Sequence, residues 1–305
     1  MKQKLLTNKL TVAIIAMFCC VLWGSAFPGI KIGYEMFDIA NNDTTTQILF
    51  AGLRFAIAGV MVIIFGSARE RKILHPNKKE YSKVVILSLF QTIYQYVFFY
   101  IGLAHTSGVK ASVIIGSNVF IAIFAACFVF KQEKVNMLKI VGCIVGFAGV
   151  VIINVAGVDV NMNFSFIGEG FIFLAATSYA ISSALIKKYS KTSDTIMLSG
   201  YQFLFGGLVM SGIGFLLGGR IAILNGKQMG ILLYLSVVSA LAYSLWTILL
   251  KYNSVSRVSV YGFMNPVCGV VLSAVLLGEA KNIISMASIS ALILVCAGII
   301  IVNKS

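Results

Sequence analysis

Charge is what this chain has least of. Over 305 residues only 11% are Asp, Glu, Lys or Arg, against 59% hydrophobic, where a soluble domain carries about 25% charged residues. No polar stretch is long enough for a separate soluble domain, and there are only three prolines. Cys19, Cys20, Cys127, Cys143, Cys268 and Cys296 all lie inside apolar runs, at no metal-ligand or CxxC spacing. They read as small buried residues and say nothing about redox compartment. There is no phosphate-cradling glycine loop, His75 and His105 stand apart, and no Ser/His/Asp set occurs on a soluble domain. ATP hydrolysis, a metal centre, a cofactor and a catalytic constellation therefore have no support in the sequence. Carboxylates are missing from the middle of every apolar run, Glu169 at a run's start being the nearest. That disfavours a proton-driven exporter of cations, which needs a buried Asp or Glu to trade its proton for the cargo.

What is present is apolar length. Runs long enough to span a bilayer fall at 11–33, 46–67, 84–104, 111–130, 140–156, 166–186, 195–218, 229–250, 258–278 and 282–302. The first run is too long for a signal-peptide core and is followed by no small-residue cleavage site, so it is expected to remain as a span. Ten spans put both termini on one side. If that side is the cytoplasm, the inner segments hold 18 of the 24 Lys and Arg, and the outer ones only Lys110, Arg220, Lys227 and Lys281. This bias predicts a multi-pass protein of the cell membrane with both termini cytoplasmic. The net charge of +14 sits in short clusters between apolar runs. Membrane lipid is therefore the expected macromolecular environment, and nucleic acid is not an expected partner.

The chain is also written twice. Trp23 and Lys31 pair with Tyr179 and Lys187 at an offset of 156. Gly52, Arg54, Phe55 and Gly59 fall on Gly200, Gln202, Phe203 and Gly207 at 148. Tyr96, Phe99, Lys110 and Ser112 fall on Tyr243, Trp246, Arg257 and Ser259 at 147, and Glu133 on Glu279 at 146. Offsets that drift steadily in chain order indicate an internal duplication of five spans. Five is odd, so the second copy enters the membrane upside down. The predicted fold is an all-α membrane protein of ten transmembrane helices in two inverted five-helix repeats, 11–156 and 166–302. Inverted repeats are a transporter architecture, with substrate held between the halves near mid-membrane.

The stretches WGSAFPGIK (23–31), GLRF (52–55), Ser107 to Glu133 and MNPVCGVVLSAVLLGE (264–279), with the glycines after each glutamate, resemble in their order the EamA family of the drug/metabolite transporter superfamily. Pro266 stands thirteen residues before Glu279, as that family's pattern has it. The first half departs, with Phe120 at the corresponding place before Glu133. There Ser117-Asn118-Val119 matches Met264-Asn265-Pro266 if one residue slips. The resemblance implies export or import of amino acids or other small metabolites.

Arg54 is the strongest single candidate, being the only basic residue well inside a span. Such a charge is costly in lipid unless paired or hydrated. Two roles are open to it: tying backbone carbonyls or helix ends together, or holding a substrate carboxylate by a two-point hydrogen bond. Its pattern-mate Gln202 can do either while neutral. Tyr96 and Tyr243 lie deep, where a phenol needs a partner. With Asn118, Gln202 and Asn265 they are candidates to line a polar pocket. Trp246 is either a pocket residue or an interfacial anchor near Lys251. Lys31 either snorkels to the headgroups or touches substrate. Glu133 and Glu279 are expected to cap or hinge their spans. The glycines of GCIVGFAG (142–149) and Gly298 suit close helix packing, with a homodimer interface as the alternative. Together these features predict a secondary transporter of a small organic metabolite, plausibly an amino acid or related carboxylate, working by alternating access. A membrane receptor that binds a metabolite without moving it is the alternative, and a membrane-embedded enzyme is a more distant one.

Overall fold

The computed structural model describes residues 2–106, 108–155, 164–221, 225–276 and 286–304, and these are helices and their connections. Ten helices are long and apolar enough to cross a membrane: α1 (Lys9–Met36), α2 (Thr44–Glu70), α3 (Tyr81–Leu103), α4 (Lys110–Val129), α5 (Met137–Val155), α6 (Phe166–Tyr189), α7 (Thr195–Leu216), α8 (Gly226–Tyr252), α9 (Val255–Ser273) and α10 (Met286–Asn303). Each overlaps the span expected from apolar length. Residues 277–278 and 282–285 of the ninth and tenth expected spans lie outside the described residues, as do Ser107, Glu279 and Lys281. Large side chains such as Phe65, Phe124, Leu216 and Ile293 are exposed on the bundle's flank, the surface a lipid-embedded protein presents. The chain is an integral multi-pass membrane protein.

Polar residues between the runs start the helices. Asp43 accepts from the Thr46 N–H at 3.0 Å and Asp194 from the Met197 N–H at 2.8 Å. Asn225 and Gln228 form a reciprocal capping box at the start of α8. Each cap satisfies N–H groups that the helix itself leaves unpaired. We call the end of the bundle holding both termini the terminal end, and the other the far end.

The packing repeats with the sequence. The most extensive helix contact is α2 on α7, and the next is α5 on α10. In both, repeat-mates cross. A Cβ on Gly59 would stand 2.7 Å from the Gly200 carbonyl, and one on Gly207 2.7 Å from that of Gly52. The two backbones can approach this closely only because all four positions lack side chains. In the second crossing, Gly142 and Gly146 meet Gly298. That glycine face is thus used within the chain, against α10. Around these crossings α1 packs on α8 and α9, while α6 packs on α3 and α4. This is the arrangement an inverted duplication requires.

Helical regularity breaks at matching places. The helix lapses at Ser117 within α4, and α9 tightens to a 3-10 stretch at Val260–Phe263. Interrupted spans at corresponding positions of two halves mark where a carrier builds its site. Three π-helical stretches are unmatched: Leu89–Tyr94 in α3, Ala125–Val129 in α4 and Phe166–Gly170 at the start of α6, whose mates lie in regular stretches of α8, α9 and α1.

Candidate functional site

The centre of the bundle is a closed circuit of four aromatic rings, one each from α2, α3, α7 and α8. Phe55 stacks on Phe203 at 5.4 Å between centroids with 7° between planes. Phe203 meets Tyr243 edge-on at 4.9 Å, and Phe55 meets Tyr96 at 4.5 Å. The circuit closes through the hydroxyls of Tyr96 and Tyr243, 2.8 Å apart. Both facing pairs are repeat-mates, so the pseudo-two-fold axis of the duplication runs through this circuit. Trp23 of α1 adds a flank, with its ring 5.1 Å from Tyr243 and 5.0 Å from Trp246.

Arg54 stands beside the circuit. Its guanidinium lies 4.5 Å from the centroid of Phe55 and 5.9 Å from that of Tyr96. The residue is 3% exposed, and no carboxylate or carbonyl among the described residues pairs with it. The two ring faces give it a modest cation–π attraction, well short of the several kcal/mol that an unpaired charge costs at this depth.

Other buried polar atoms around the circuit also lack a protein partner. They are the indole nitrogens of Trp23 and Trp246. Buried polar groups are hydrogen-bonded in the great majority of cases, and a cluster of exceptions with a common surround is a feature of binding sites. Indole N–H and guanidinium donors suit an acceptor of negative charge.

The structure brings Arg54, Tyr96, Tyr243 and Trp246 together. Trp246 is 2% exposed and packs on Trp23, so the interfacial-anchor alternative does not describe it. Asn118 begins the second part of α4, beside the Gly262 backbone of α9, and Asn265 follows three residues further along α9. These two mark the crossing of the interrupted helices. Gln202 is fully buried: its Oε1 accepts from Thr92 Oγ1 at 2.8 Å, its backbone carbonyl accepts from Ser88 Oγ at 3.0 Å, and its Nε2 has no partner among the described residues. It ties α7 to the π-helical stretch of α3. Phe55, Phe203, Tyr34 and Tyr100 belong to this region and were not among the predicted residues. For the two phenylalanines a signal existed, an aromatic ring at both repeat-mates. Tyr34 and Tyr100 carried none.

Two carboxylates end up as ties. Glu169 accepts from Lys110 Nζ at 2.8 Å, Thr106 Oγ1 at 2.7 Å and the Ser165 N–H at 2.7 Å, joining α6 to α4 at the far end. Glu133 was expected to cap or hinge its own span, the fourth; in the structure it caps the start of α9, in the other half of the chain. It accepts from the backbone N–H groups of Val255 and Ser256 and from the Ser256 hydroxyl, and pairs with Lys139 at 2.9 Å.

The profile of the EamA-like transporter family matches residues 10–155 and 166–304. An uncharacterized transporter of Bacillus subtilis, YvbV, is 26% identical over 97% of this chain and 92% of its own length. An uncharacterized inner membrane transporter of Escherichia coli, YedA, is 24% identical over 88% of this chain and 83% of its own. A solved crystal structure superimposes with a TM-score of 0.77, over 97% of this chain and 98% of that one, at 17% identity. That likeness speaks for the fold alone.

Proposed function

On the premise that the chain belongs to the EamA-like transporter family, we propose that it moves a small organic metabolite bearing a carboxylate, such as an amino acid, by alternating access. The observation that carries this reading is Arg54. A guanidinium 3% exposed, without a counter-charge among the described residues, fits a cargo that brings its own negative charge. The carboxylate docks on Arg54 with the indole N–H groups of Trp23 and Trp246 in reach, and the body of the cargo lies on the aromatic circuit. Pro28 and Trp23 shape α1 beside this site.

The two bundles rock about the axis marked by Phe55–Phe203 and Tyr96–Tyr243, exposing the site to each end in turn. The basic residues concentrate in segments of the terminal end, which supports a cytoplasmic location for both termini. The Escherichia coli relative is an inner membrane transporter, which supports the cell membrane as the location. The test is counterflow in proteoliposomes with a pooled set of labelled amino acids and carboxylates. Saturable counterflow by the wild type and its loss in Arg54→Gln, with an unchanged thermal transition, is the expected result. Counterflow undiminished in the variant overturns the role of Arg54, and binding without flux turns the reading to a receptor.

A further inference from the structure

Comparing the two ends of the bundle exposes a difference that the duplication alone does not dictate. At the terminal end, the second half of α4 (Asn118–Phe124) packs on the first turns of α9 (Val255–Ser259). The equivalent pair at the far end is the first half of α4 (Gly108–Gly116) and the second half of α9 (Met264–Leu276). Among the described residues these make at most a marginal contact. Among the described residues, the bundle is therefore drawn together at the terminal end by the α4–α9 and α6–α8 contacts.

One side chain holds most of that closure. Glu133 lies in the α4–α5 connection, in the first half of the chain, and caps the start of α9, in the second half. Three hydrogen bonds cross the gap, from the N–H groups of Val255 and Ser256 and from the Ser256 hydroxyl. Lys139 neutralises the carboxylate at 2.9 Å and is itself fixed by the Lys134 carbonyl at 2.8 Å. The neighbouring Gln132 donates to the Ala184 carbonyl of α6 at 2.9 Å, and Lys187 of α6 to the Lys251 carbonyl of α8 at 3.1 Å. The side chains of Glu133 and Lys139 are 8% and 10% exposed. A buried carboxylate of this kind is stable only while its donors stay in place, which makes the cap an all-or-none device.

From this geometry we infer that Glu133 is the terminal-end latch of the transport cycle: it must release the start of α9 before the site can open toward that end. The inference rests on the alternating-access reading above. Its consequence is a positioning role, since Glu133 touches no cargo and acts by setting which end is open. Charge-assisted bonds each shift such an equilibrium by about tenfold or more. Glu133→Gln removes the charge and the Lys139 pair, and Ser256→Ala removes one crossing bond.

The experiment is amide hydrogen exchange of the full chain in nanodiscs, with counterflow measured on the same preparations. In Glu133→Gln, exchange is expected to rise by about tenfold or more at 129–135 and 253–259 and to fall at the far-end segment 34–43, as that end closes. Ser256→Ala is expected to show the same reciprocal pattern at smaller amplitude, and it decides the matter if Glu133→Gln does not fold. Faster exchange confined to 253–259, with the far end unchanged, reduces Glu133 to a local helix cap and overturns the latch. Reciprocal exchange without flux of any solute leaves the latch standing and sinks the transport reading. Flux without reciprocity does the opposite.

Discussion

Side chains that the duplication matches and side chains that it does not match do different work. Phe55 with Phe203 and Tyr96 with Tyr243 are identical pairs, and they touch each other across the axis. Gly52, Gly59, Gly200 and Gly207 let the mated helices cross. Arg54 and Gln202 are mates as well, but one is an unpaired charge beside the ring circuit and the other an amide tied to Thr92 in helix packing. Trp23 stands where the second half has Tyr179, and Trp246 where the first has Phe99. Matched positions build the frame about the axis, and the unmatched ones give that frame a single polarity. A cargo has two different ends, so a site on a symmetric axis needs such a departure in order to orient it.

The largest effect is expected from breaking a matched position. Gly207→Leu forces a side chain into the Gly52 carbonyl and the Ala56 backbone of α2, neither of which can yield. We expect a loss of about 3 kcal/mol or more of stability, read as the disappearance of monodisperse protein on size exclusion in detergent. Gly212→Leu on the same helix meets nothing within 4 Å and is expected to leave the elution profile unchanged. Equal tolerance of the two substitutions would break the claim that the α2–α7 crossing frames the fold.

Next in size are the unmatched mates. Arg54→Gln makes the two halves alike at this position. Cargo affinity is expected to fall by about 30-fold or more, the cost of removing one side of a buried charge pair. The thermal transition should hold or rise, because an uncompensated buried charge has gone. Gln202→Leu should do the reverse. It orphans Thr92 and is expected to cost about 1–2 kcal/mol of stability while leaving affinity within about twofold. Affinity that falls equally in both variants would erase the distinction between frame and polarity.

Much of the frame was legible in the sequence, because lipid imposes length. Spans of Thr195–Leu216 or Met286–Asn303 are set by apolar runs bounded by polar residues, and the drifting offsets locate the duplication before any contact is known. The burial of Arg54 was legible for the same reason, whereas the helix that Glu133 caps was not: its own span was expected, and the structure has α9. The facing of side chains was not. Helices such as α7 are apolar on every side, so no stripe indicates which face is buried. Gln202 could therefore be placed at the correct depth without its tie to Thr92 of α3 being legible. The π-helical stretch Leu89–Tyr94 has no sequence signature either, and it brings Thr92 to Gln202. Tyr34 and Tyr100 join the site through helix crossings that residue spacing alone does not encode.

A smaller effect sharpens the matched side of the comparison. Tyr96→Phe and Tyr243→Phe each remove one end of the same hydroxyl pair. Each is expected to cost about 1 kcal/mol, and the double variant less than the sum of the two, since both substitutions remove the same shared bond. Additive losses in a thermal-shift double-mutant cycle would mean that the two phenols are bonded independently and that no bond crosses the axis.

The smallest effect concerns a matched pair of helix starts. Asp43 opens α2 and Asp194 opens α7, each capping the third residue on. Replacing either by Ala is expected to cost about 1 kcal/mol. The Thr46 N–H, and then Thr45, hold the Asp43 carboxyl below the usual carboxylate range, so the native state prefers the ionised form more than the unfolded chain does. That preference stabilises the fold above the ordinary aspartate pKa, about 4, and is lost as pH falls through the lower native value. Asp43→Asn keeps an acceptor for the cap but cannot titrate. Thermal transitions of the wild type and Asp43→Asn, compared from pH 6 down to pH 3, should therefore converge toward the acid end as the wild type gives up its cap. A separation that widens on acidification would mean that Asp43 is better bonded when protonated, contrary to the N–H donors that face it.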